Sequence, residues 1–324
     1  MRLVTFSTFG ESRLGALVDR SIVDLRGAVI AWRHASGAGM TGEPYSVDVS
    51  LPTTMLALLQ AGEEPRAVIR NALAYATEPE TLAALTRVGL AFQASQVRYL
   101  PPILQPGKII CLGHNYRKHV LEMKHEIPKY PVLFAKFANT LVGHGAPVVL
   151  PTISRQVDYE GELAVVIGKR GKHIAKEHAL DYIVGYAPFN DVSVRDYQRR
   201  TSQWLQGKTF DSCGPFGPAI VTLDELPDPA ALELTTRLNG EVMQNANTSD
   251  FIFDIPTILA YISSFLTLEP GDVIVTGTPG GVGDARDPQV FLKAGDVVEI
   301  EISGVGVLAN PVVGPSEELP REGA

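Results

Sequence analysis

Residues 158–168 read DYEGELAVVIG, an acidic start followed by an unbroken apolar run. The apolar run predicts a β-strand. If Glu160 opens that strand, its side chain and that of Glu162 point to the same face, because side chains alternate along a strand. Two neighbouring carboxylates repel each other unless a cation or a proton lies between them, and a divalent ion resolves that repulsion. The alternative is an edge strand with two solvated glutamates.

A third carboxylate lies further along the chain, in residues 184–196, which read VGYAPFNDVSVRD. Asp191 ends the apolar part of this segment, a position from which a side chain can point into a cleft. The alternative is that Asp191 caps the amino end of a following helix. Asp158 and Asp196 are weaker candidates with the same alternative. Together the carboxylates predict a divalent metal site of Glu160, Glu162 and Asp191.

Short apolar segments bounded by Gly and Pro dominate the chain from residue 108 onward, and few helices interrupt them. The clearest strands are at 108–112, 163–167, 272–276 and 297–302, and the clearest helix is at 255–265. This density of strands favours a mixed, β-rich α/β architecture over a doubly wound fold.

The first hundred residues differ from the rest of the chain. Segments 2–6, 14–18 and 21–25 alternate like strands, whereas 55–59 and 67–73 have helical spacing. They predict a smaller α+β domain. Pro101, Pro102 and Pro106 indicate a linker in the sequence that follows. We therefore predict an amino-terminal domain, 1–103, and a catalytic domain, 104–324.

The composition narrows the class of partner. The chain has 324 residues with 28 Lys and Arg against 36 Asp and Glu, a formal net charge of −8. This acidity argues against nucleic acid. No apolar run reaches the ~18 residues that span a bilayer, and the amino terminus lacks a signal-peptide core. The two cysteines form no CxxC pair and no disulfide framework, which favours a reducing cytoplasm. We therefore expect a cytoplasmic protein that, from its charge and hydropathy, binds neither membrane nor nucleic acid.

Four motifs in register resemble those of the fumarylacetoacetate hydrolase superfamily, and the match runs from Gly107 to Pro311. They are the E-x-E pair, the ND at 190–191 with RD at 195–196, the run QWLQGKTFD at 203–211, and TGTPGGVG at 276–283. Two-domain acylpyruvate hydrolases and 2-hydroxyhepta-2,4-diene-1,7-dioate isomerases are similar in pattern. The resemblance implies a β-roll catalytic domain, a homodimer, and Mg²⁺ or Mn²⁺ held by Glu160, Glu162 and Asp191.

The same resemblance assigns further residues to the chemistry. Lys208 would stabilise enolate charge on the substrate, since an ammonium donates hydrogen bonds without being a metal ligand; the alternative is a solvated lysine. Arg195 and Gln198 share a helix face and are expected to bind substrate, unless Arg195 only pairs with a surface acid. Thr278, in a Gly-rich turn after a strand, suits a substrate carboxylate. The turn has neither a P-loop ending nor a dinucleotide fingerprint, which excludes nucleotide binding.

Residues 113–123 read GHNYRKHVLEM and resemble the G-x-N-Y-x-x-H-x-x-E motif of the superfamily. With Asn115 as the cap of a short helix, His119 and Glu122 lie three residues apart on one face. We expect His119 to be the general base and Glu122 to orient it. The alternative is an ordinary surface pair. His114 lies at a variable position and is given no role.

These residues predict metal-dependent hydrolysis of a carbon–carbon bond in a 2,4-dioxo acid of the acylpyruvate or fumarylpyruvate type, through an enolate that the metal and Lys208 stabilise. The alternative keeps the site and changes the reaction to decarboxylation or tautomerisation of an oxaloacetate-like or 2-hydroxy-dienedioate acid. A non-catalytic small-molecule binding protein is disfavoured, because His119, Glu122 and Lys208 are all present.

Overall fold

The computed structural model describes residues 1–8, 10–37, 51–122 and 126–315, with the side chains of His119 and Glu122 left out. Within these residues the strands are β1 Arg2–Thr8, β2 Glu11–Val18, β3 Ser21–Asp24, β4 Ala91–Gln93, β5 Arg98–Leu100, β6 Ile109–Gly113, β7 Val132–Lys136, β8 Leu141–Val142, β9 Val148–Val149, β10 Val157–Asp158, β11 Gly161–Ile167, β12 Ile183–Asn190, β13 Ser193–Val194, β14 Gly214–Pro215, β15 Ile220–Thr222, β16 Glu233–Leu238, β17 Glu241–Asn247, β18 Val273–Val275, β19 Val297–Ile302 and β20 Gly306–Val313. The α-helices are α1 Leu25–Ser36, α2 Met55–Gln60, α3 Glu63–Ala76, α4 Pro79–Arg87, α5 Arg117–Glu122, α6 Arg195–Gln198, α7 Leu205–Lys208 and α8 Ile255–Phe265.

One large mixed sheet runs through the molecule. Its strand order is β4-β3-β2-β1-β15-β12-β11-β18-β6-β7, and β5 pairs with β1 off this path. A second sheet has the order β17-β16-β19-β20-β9. The predicted mixed, β-rich α/β architecture is therefore what the described chain adopts.

The pairing of β11 with β12 positions the acidic residues. These strands are antiparallel, with Gly161 opposite Asn190 and Glu162 opposite Phe189. The residues just outside this register, Glu160 and Asp191, are also joined, since the Asp191 N–H donates to the Glu160 carbonyl over 2.9 Å. The start of one strand and the end of its neighbour thus bring all the acidic side chains to one place.

The amino-terminal strands and those of the predicted catalytic domain share a sheet and a core. β1 pairs with β15 through Arg2–Val221 and Leu3–Ile220. One apolar cluster includes Leu58 from α2 together with Phe189 from β12. The division at residue 103 stays a prediction, and it lies between strands that belong to one continuous sheet.

One alternative and one local expectation were wrong. Asp191 is not a helix cap, because the following helix begins only at Arg195 with Val194 as its cap residue. Asn115 does not cap α5 through its side chain; its amide joins distant loops, donating to the carbonyls of Phe253 and Thr276 and accepting from the Phe253 N–H. In both cases a tertiary contact uses the polar group that a local cap would have used.

Candidate active site

The three predicted metal ligands lie together. Glu160, Glu162 and Asp191 are buried, and each offers one carboxylate oxygen within 4.8 Å of the others. Glu162 is the second residue of β11, a strand that is buried along its whole length. Neither glutamate is solvated, so the edge-strand alternative is wrong.

Arg195 offsets the charge on one side of this carboxylate centre. Its guanidinium donates to Asp158 Oδ2 from two nitrogens, over 2.9 and 2.6 Å, and to Glu160 Oε1 over 2.6 Å. It also donates to Gln198 Oε1 over 3.0 Å, the contact expected of residues three apart on a helix. The Arg195 side chain is only 8% exposed. Arg195 is thus a buried partner of two carboxylates rather than a surface cation.

Two lysines hold Asp191. Lys208 Nζ lies 2.6 Å from Asp191 Oδ2 and 2.7 Å from Glu160 Oε2. Lys136 Nζ lies 2.8 Å from Asp191 Oδ1 and also donates to the Val192 carbonyl and to Cys213 Sγ. Lys208 is not the solvated lysine of the alternative reading, since it is 1% exposed. Lys136 was missed, because nothing in a sequence separates a buried lysine from a surface one.

The ionised pairs shift the pKa values of this centre in opposite directions. Burial alone raises the pKa of Glu160, but Lys208 and Arg195 outweigh it and hold that pKa well below its usual range. Burial lowers the pKa of Lys208, and Asp191 and Glu160 more than restore it, so the ammonium keeps its proton. The pKa of Lys136 is raised in the same way by Asp191.

Glu162 is the exception. Burial and the nearby Asp191 and Glu160 charges raise its pKa well above the usual range. Among the described residues it forms no ion pair; its Oε2 accepts only the Gly277 N–H. The network counts three cations, Arg195, Lys136 and Lys208, against four carboxylates with Asp158 included, so its formal charge is 3 − 4 = −1.

This imbalance is the test of whether a metal suits the site. A divalent cation would place positive charge beside Glu162, which has no cationic partner among the described residues, and hard oxygen ligands suit Mg²⁺ and Mn²⁺. Lys208 already contacts two of the three carboxylates, but a carboxylate offers about four lone-pair sites and can accept from both. The buried acidic triad could therefore hold a divalent metal.

The Gly-rich turn after β18 lies on the other side of the carboxylate centre. Thr278 Oγ1 donates to the Gly161 carbonyl over 3.0 Å and accepts from Gln244 Nε2 over 2.8 Å. Gln244 Oε1 in turn accepts the Gly161 N–H over 3.0 Å. Because its hydroxyl proton is used on the backbone, Thr278 can offer a ligand only an acceptor. Gly277 has φ +100°, where a Cβ would lie 2.8 Å from Asn115 Cβ, so glycine is required for this close approach.

A cavity of about 410 Å³ opens onto the centre. Its walls include most of the residues predicted to act on substrate: Glu160, Glu162, Arg195, Gln198, Lys208 and Thr278. Asp191 lies behind the wall at 0% exposure. Asp196 is elsewhere, accepting from Ser154 Oγ over 2.6 Å.

Three further residues of the cavity wall carry aromatic rings, and we name them the aromatic wall: Phe134, Trp204 and His114. Lys208 Nζ lies 5.0 Å from the Phe134 ring centre, Phe134 meets Trp204 edge-on at 5.4 Å, and Trp204 stacks on His114 at 5.4 Å and 15°. No periodic pattern in the sequence predicts this wall, since its members come from β7, a turn and the segment after β6.

The predicted His119 and Glu122 pair is only partly placed. Both residues belong to α5, and Val120 on that helix lines the cavity. Their side chains lie outside the described part of the structure. The helix therefore borders the site, and the pairing of the two side chains stays a prediction.

In this β-rich α/β fold a buried acidic centre, which could hold a divalent metal, lies beneath a cavity. The family model for the fumarylacetoacetate (FAA) hydrolase C-terminal domain matches residues 108–313, and the chain belongs to this family. The resemblance that the four motifs indicated is confirmed.

Individual relatives cover nearly the whole chain. It is 43% identical over 307 residues, 94% of each chain, to the oxaloacetate tautomerase FAHD2A, mitochondrial, of Bos taurus. The structure of fumarylacetoacetate hydrolase from Exiguobacterium antarcticum matches with a TM-score of 0.77 at 34% identity, over 97% of this chain and 99% of that one. Maleylpyruvate hydrolase from Sphingobium sp. SYK-6, in complex with manganese(II) and pyruvate, matches with a TM-score of 0.71 at 32% identity, over 97% and 99%. These matches confirm the fold class.

No helix in the described part of the chain is long and apolar enough to cross a membrane. The name of the Bos taurus relative places that protein in mitochondria. The cytoplasmic location expected from the sequence stays a prediction for this chain.

Proposed function

We propose that this chain is a divalent-metal-dependent tautomerase that interconverts the enol and keto forms of oxaloacetate or a closely similar 2-oxo dicarboxylic acid. The observation that carries the proposal is the carboxylate centre, which keeps a lysine protonated beside an uncompensated Glu162 at the floor of a small cavity. The names of relatives that are 43% identical over 94% of the chain favour this reaction over the carbon–carbon hydrolysis expected from the sequence.

A metal held by Glu160, Glu162 and Asp191, Mg²⁺ or Mn²⁺, would supply Lewis-acid stabilisation of the negative charge that develops on the substrate oxygen. Lys208 adds a fixed ammonium at the same place. Because Asp191 and Glu160 raise the pKa of Lys208, the group stabilises charge as a donor rather than giving up its proton. Arg195 holds Glu160 ionised and in position.

Tautomerisation moves one proton from C3 of the keto acid to a base and returns one to the oxygen on C2. The chain therefore needs only one base beside the stabilised oxygen. We assign that base to His119, oriented by Glu122, on the helix that borders the cavity. Gln198 and Thr278 line the same cavity; Gln198 offers its side-chain amide N–H to the substrate, whereas Thr278 can offer only an acceptor.

Hydrolysis of an acylpyruvate is the second candidate, because the maleylpyruvate hydrolase that binds manganese(II) and pyruvate shares the fold over 97% of the chain. It passes through the same stabilised enolate and requires in addition an attacking water. Decarboxylation of oxaloacetate also shares the enolate and differs in the bond that breaks.

One assay separates the three reactions. Freshly dissolved enol-oxaloacetate is followed by its ultraviolet absorbance with Mg²⁺ or Mn²⁺, while a coupled enzyme detects pyruvate. Accelerated loss of enol without pyruvate supports the tautomerase. Pyruvate from oxaloacetate indicates the decarboxylase, and cleavage of an acylpyruvate without any effect on enol-oxaloacetate indicates the hydrolase and overturns the proposal.

We also propose that the chain acts as a homodimer on a small-molecule acid, with no nucleic acid or membrane as partner. The molar mass in solution, measured by light scattering after size exclusion, tests the assembly: twice the 34.9 kDa of the chain is expected.

A further inference from the structure

Gln244 joins the second sheet to the carboxylate centre. It lies in β17 and is buried, with 1% of its surface exposed. Its Oε1 accepts the Gly161 N–H over 3.0 Å, and its Nε2 donates to Thr278 Oγ1 over 2.8 Å and to the Pro279 carbonyl over 2.9 Å. One side-chain amide thus holds both the start of β11 and the Gly-rich turn that follows β18.

Gly161 is the residue between two of the predicted metal ligands, Glu160 and Glu162. The Thr278 hydroxyl donates to its carbonyl over 3.0 Å, so both backbone polar groups of Gly161 bond to side chains. The paired residues of β11 and β18 end at Ala164, three positions further along the chain. Because buried backbone groups need hydrogen-bond partners, two side chains do at Gly161 what a neighbouring strand does elsewhere in the sheet.

The packing around Gly161 leaves no room for a side chain. A Cβ at this position would lie 2.1 Å from Thr236 Oγ1 and 3.3 Å from Gln244 Oε1, so a larger residue would force the second sheet to move. The turn that Gln244 holds also reaches the side chain of Glu162, whose Oε2 accepts the Gly277 N–H. Gln244 is therefore connected to the glutamates through the peptide between them and through the turn beside them.

We propose that Gln244 is a positioning residue for the divalent metal, because it fixes the peptide between Glu160 and Glu162 and so holds the two carboxylates in place before the ion binds. This inference rests on the metal dependence of the proposed function. Gln244 is not part of the cavity wall and carries no charge, so it acts on the geometry of the ligands rather than on the charge of the site. Groups that orient metal ligands typically contribute about 10–100-fold to metal affinity.

The affinity of the metal-free protein for Mn²⁺, measured by calorimetry without substrate, tests the inference. Gln244→Met keeps the length of the side chain and removes all three hydrogen bonds, so we expect Mn²⁺ to bind roughly tenfold more weakly or worse. Thr278→Val removes the hydroxyl that donates to Gly161 and should also weaken binding. Thr278→Ser keeps a hydroxyl and should retain most of the affinity. The double variant Gln244→Met/Thr278→Val should lose less than the two single losses combined, because both changes release the same peptide.

Asn310→Leu is the matched control for the loss of a buried amide from the second sheet. Asn310 lies in β20 and is 1% exposed. Its Nδ2 donates to the carbonyls of Gly143 and Ala146, over 2.8 and 2.7 Å, and neither residue belongs to the carboxylate centre. Urea unfolding without metal should show a loss of stability in both Asn310→Leu and Gln244→Met, whereas only Gln244→Met should lose affinity for Mn²⁺.

Wild-type affinity for Mn²⁺ in a folded Gln244→Met protein overturns the inference. An equal loss of affinity in Asn310→Leu also overturns it, since the effect would then follow from packing in general. If Gln244→Met does not fold, the two variants of Thr278 decide, and equal affinities of Thr278→Val and Thr278→Ser reject the role of the held peptide.

The outcomes also separate this inference from the proposed function. A wild type that loses Mn²⁺ affinity through Gln244→Met but does not accelerate the loss of enol-oxaloacetate has a different reaction, and the positioning role stands. A wild type that accelerates tautomerisation while Gln244→Met binds Mn²⁺ normally has the proposed reaction without this role. A wild type that binds no Mn²⁺ overturns both the metal dependence and the inference.

Discussion

The carboxylate centre and the seam around Tyr99 and His144 bury ionisable groups in opposite ways. In the centre, Glu160, Lys136 and Lys208 are buried as ions that hold each other charged. At the seam, where β5 meets the loop after β8, the rings of Tyr99 and His144 meet edge-on at 5.3 Å. Burial there raises the pKa of Tyr99 and lowers that of His144, which favours the neutral form of both.

This difference distinguishes buried groups that are kept for function from buried groups that only pack. Burying an ion costs several kcal/mol unless partners compensate it, and replacing a buried ion pair by apolar residues is often neutral or stabilising. A chain that keeps seven ionisable groups in one buried network therefore retains them for something other than stability. A neutral histidine packed on a tyrosine needs no such explanation. Four predictions test this contrast.

Glu162→Gln should have the largest effect, because it removes the charge that has no cation among the described residues. We expect affinity for Mn²⁺, measured by calorimetry, to fall by more than the 10–100-fold that losing a mere supporting contact costs. Turnover should be lost with it. Without metal the variant should unfold at a higher temperature than the wild type, since the neutral amide relieves repulsion from Asp191 and Glu160.

Glu160→Gln is the matched control for that change. It has the same chemistry, but it breaks ion pairs with Arg195 and Lys208, so its metal-free unfolding temperature should fall. A Glu162→Gln protein that binds Mn²⁺ as the wild type does would remove Glu162 from the metal site.

Lys208→Met should have the second-largest effect. The substitution keeps the length of the side chain and removes a fixed donor from the place where enolate charge develops. Loss of one such donor typically lowers kcat by ~10²–10³-fold, and we expect a smaller change in KM. Steady-state kinetics on enol-oxaloacetate measures both. Wild-type kcat in a folded Lys208→Met protein would show that the lysine only balances charge.

Lys136→Met tests the part of the centre that does not face the cavity. Its Nζ contacts Asp191 Oδ1, and the side chain is 0% exposed. Breaking a buried pair from one side typically costs about 3–5 kcal/mol, which urea unfolding should detect. The control is Lys176→Met, whose pair with Asp254 is about half exposed on both sides and should contribute about 0–1 kcal/mol. Equal losses in the two variants would contradict the contrast between buried and surface ions.

The sequence was sufficient for what depends on short-range pattern. The spacing predicted that Glu160, Glu162 and Asp191 would lie together, and they do, although Glu160 lies just before β11 rather than opening it and Asp191 just after β12. It was insufficient for Lys136, Trp204 and Asp158. Their contacts join residues that lie tens of positions apart in the sequence, so no periodic pattern marks them. The substrate role of Arg195 stays a prediction, and its contacts with Asp158 and Glu160 could not be read from spacing.

The smallest effect belongs to the seam. His144 Nδ1 accepts the Ala309 N–H over 3.1 Å, which requires that nitrogen to be unprotonated. Because burial lowers the pKa of His144 in the folded protein, the unfolded chain binds a proton more readily, and stability is greatest above the unfolded pKa of about 6.5. The free energy of unfolding should therefore decrease as the pH falls below about 6.5 and level off beneath the folded pKa. His144→Asn, whose Oδ1 can accept the same N–H, should reduce this dependence, and His173→Asn on the exposed loop should not. Urea unfolding between pH 5 and about 7.5 measures the slopes; equal slopes in the wild type and His144→Asn would mean that the seam does not hold its histidine neutral.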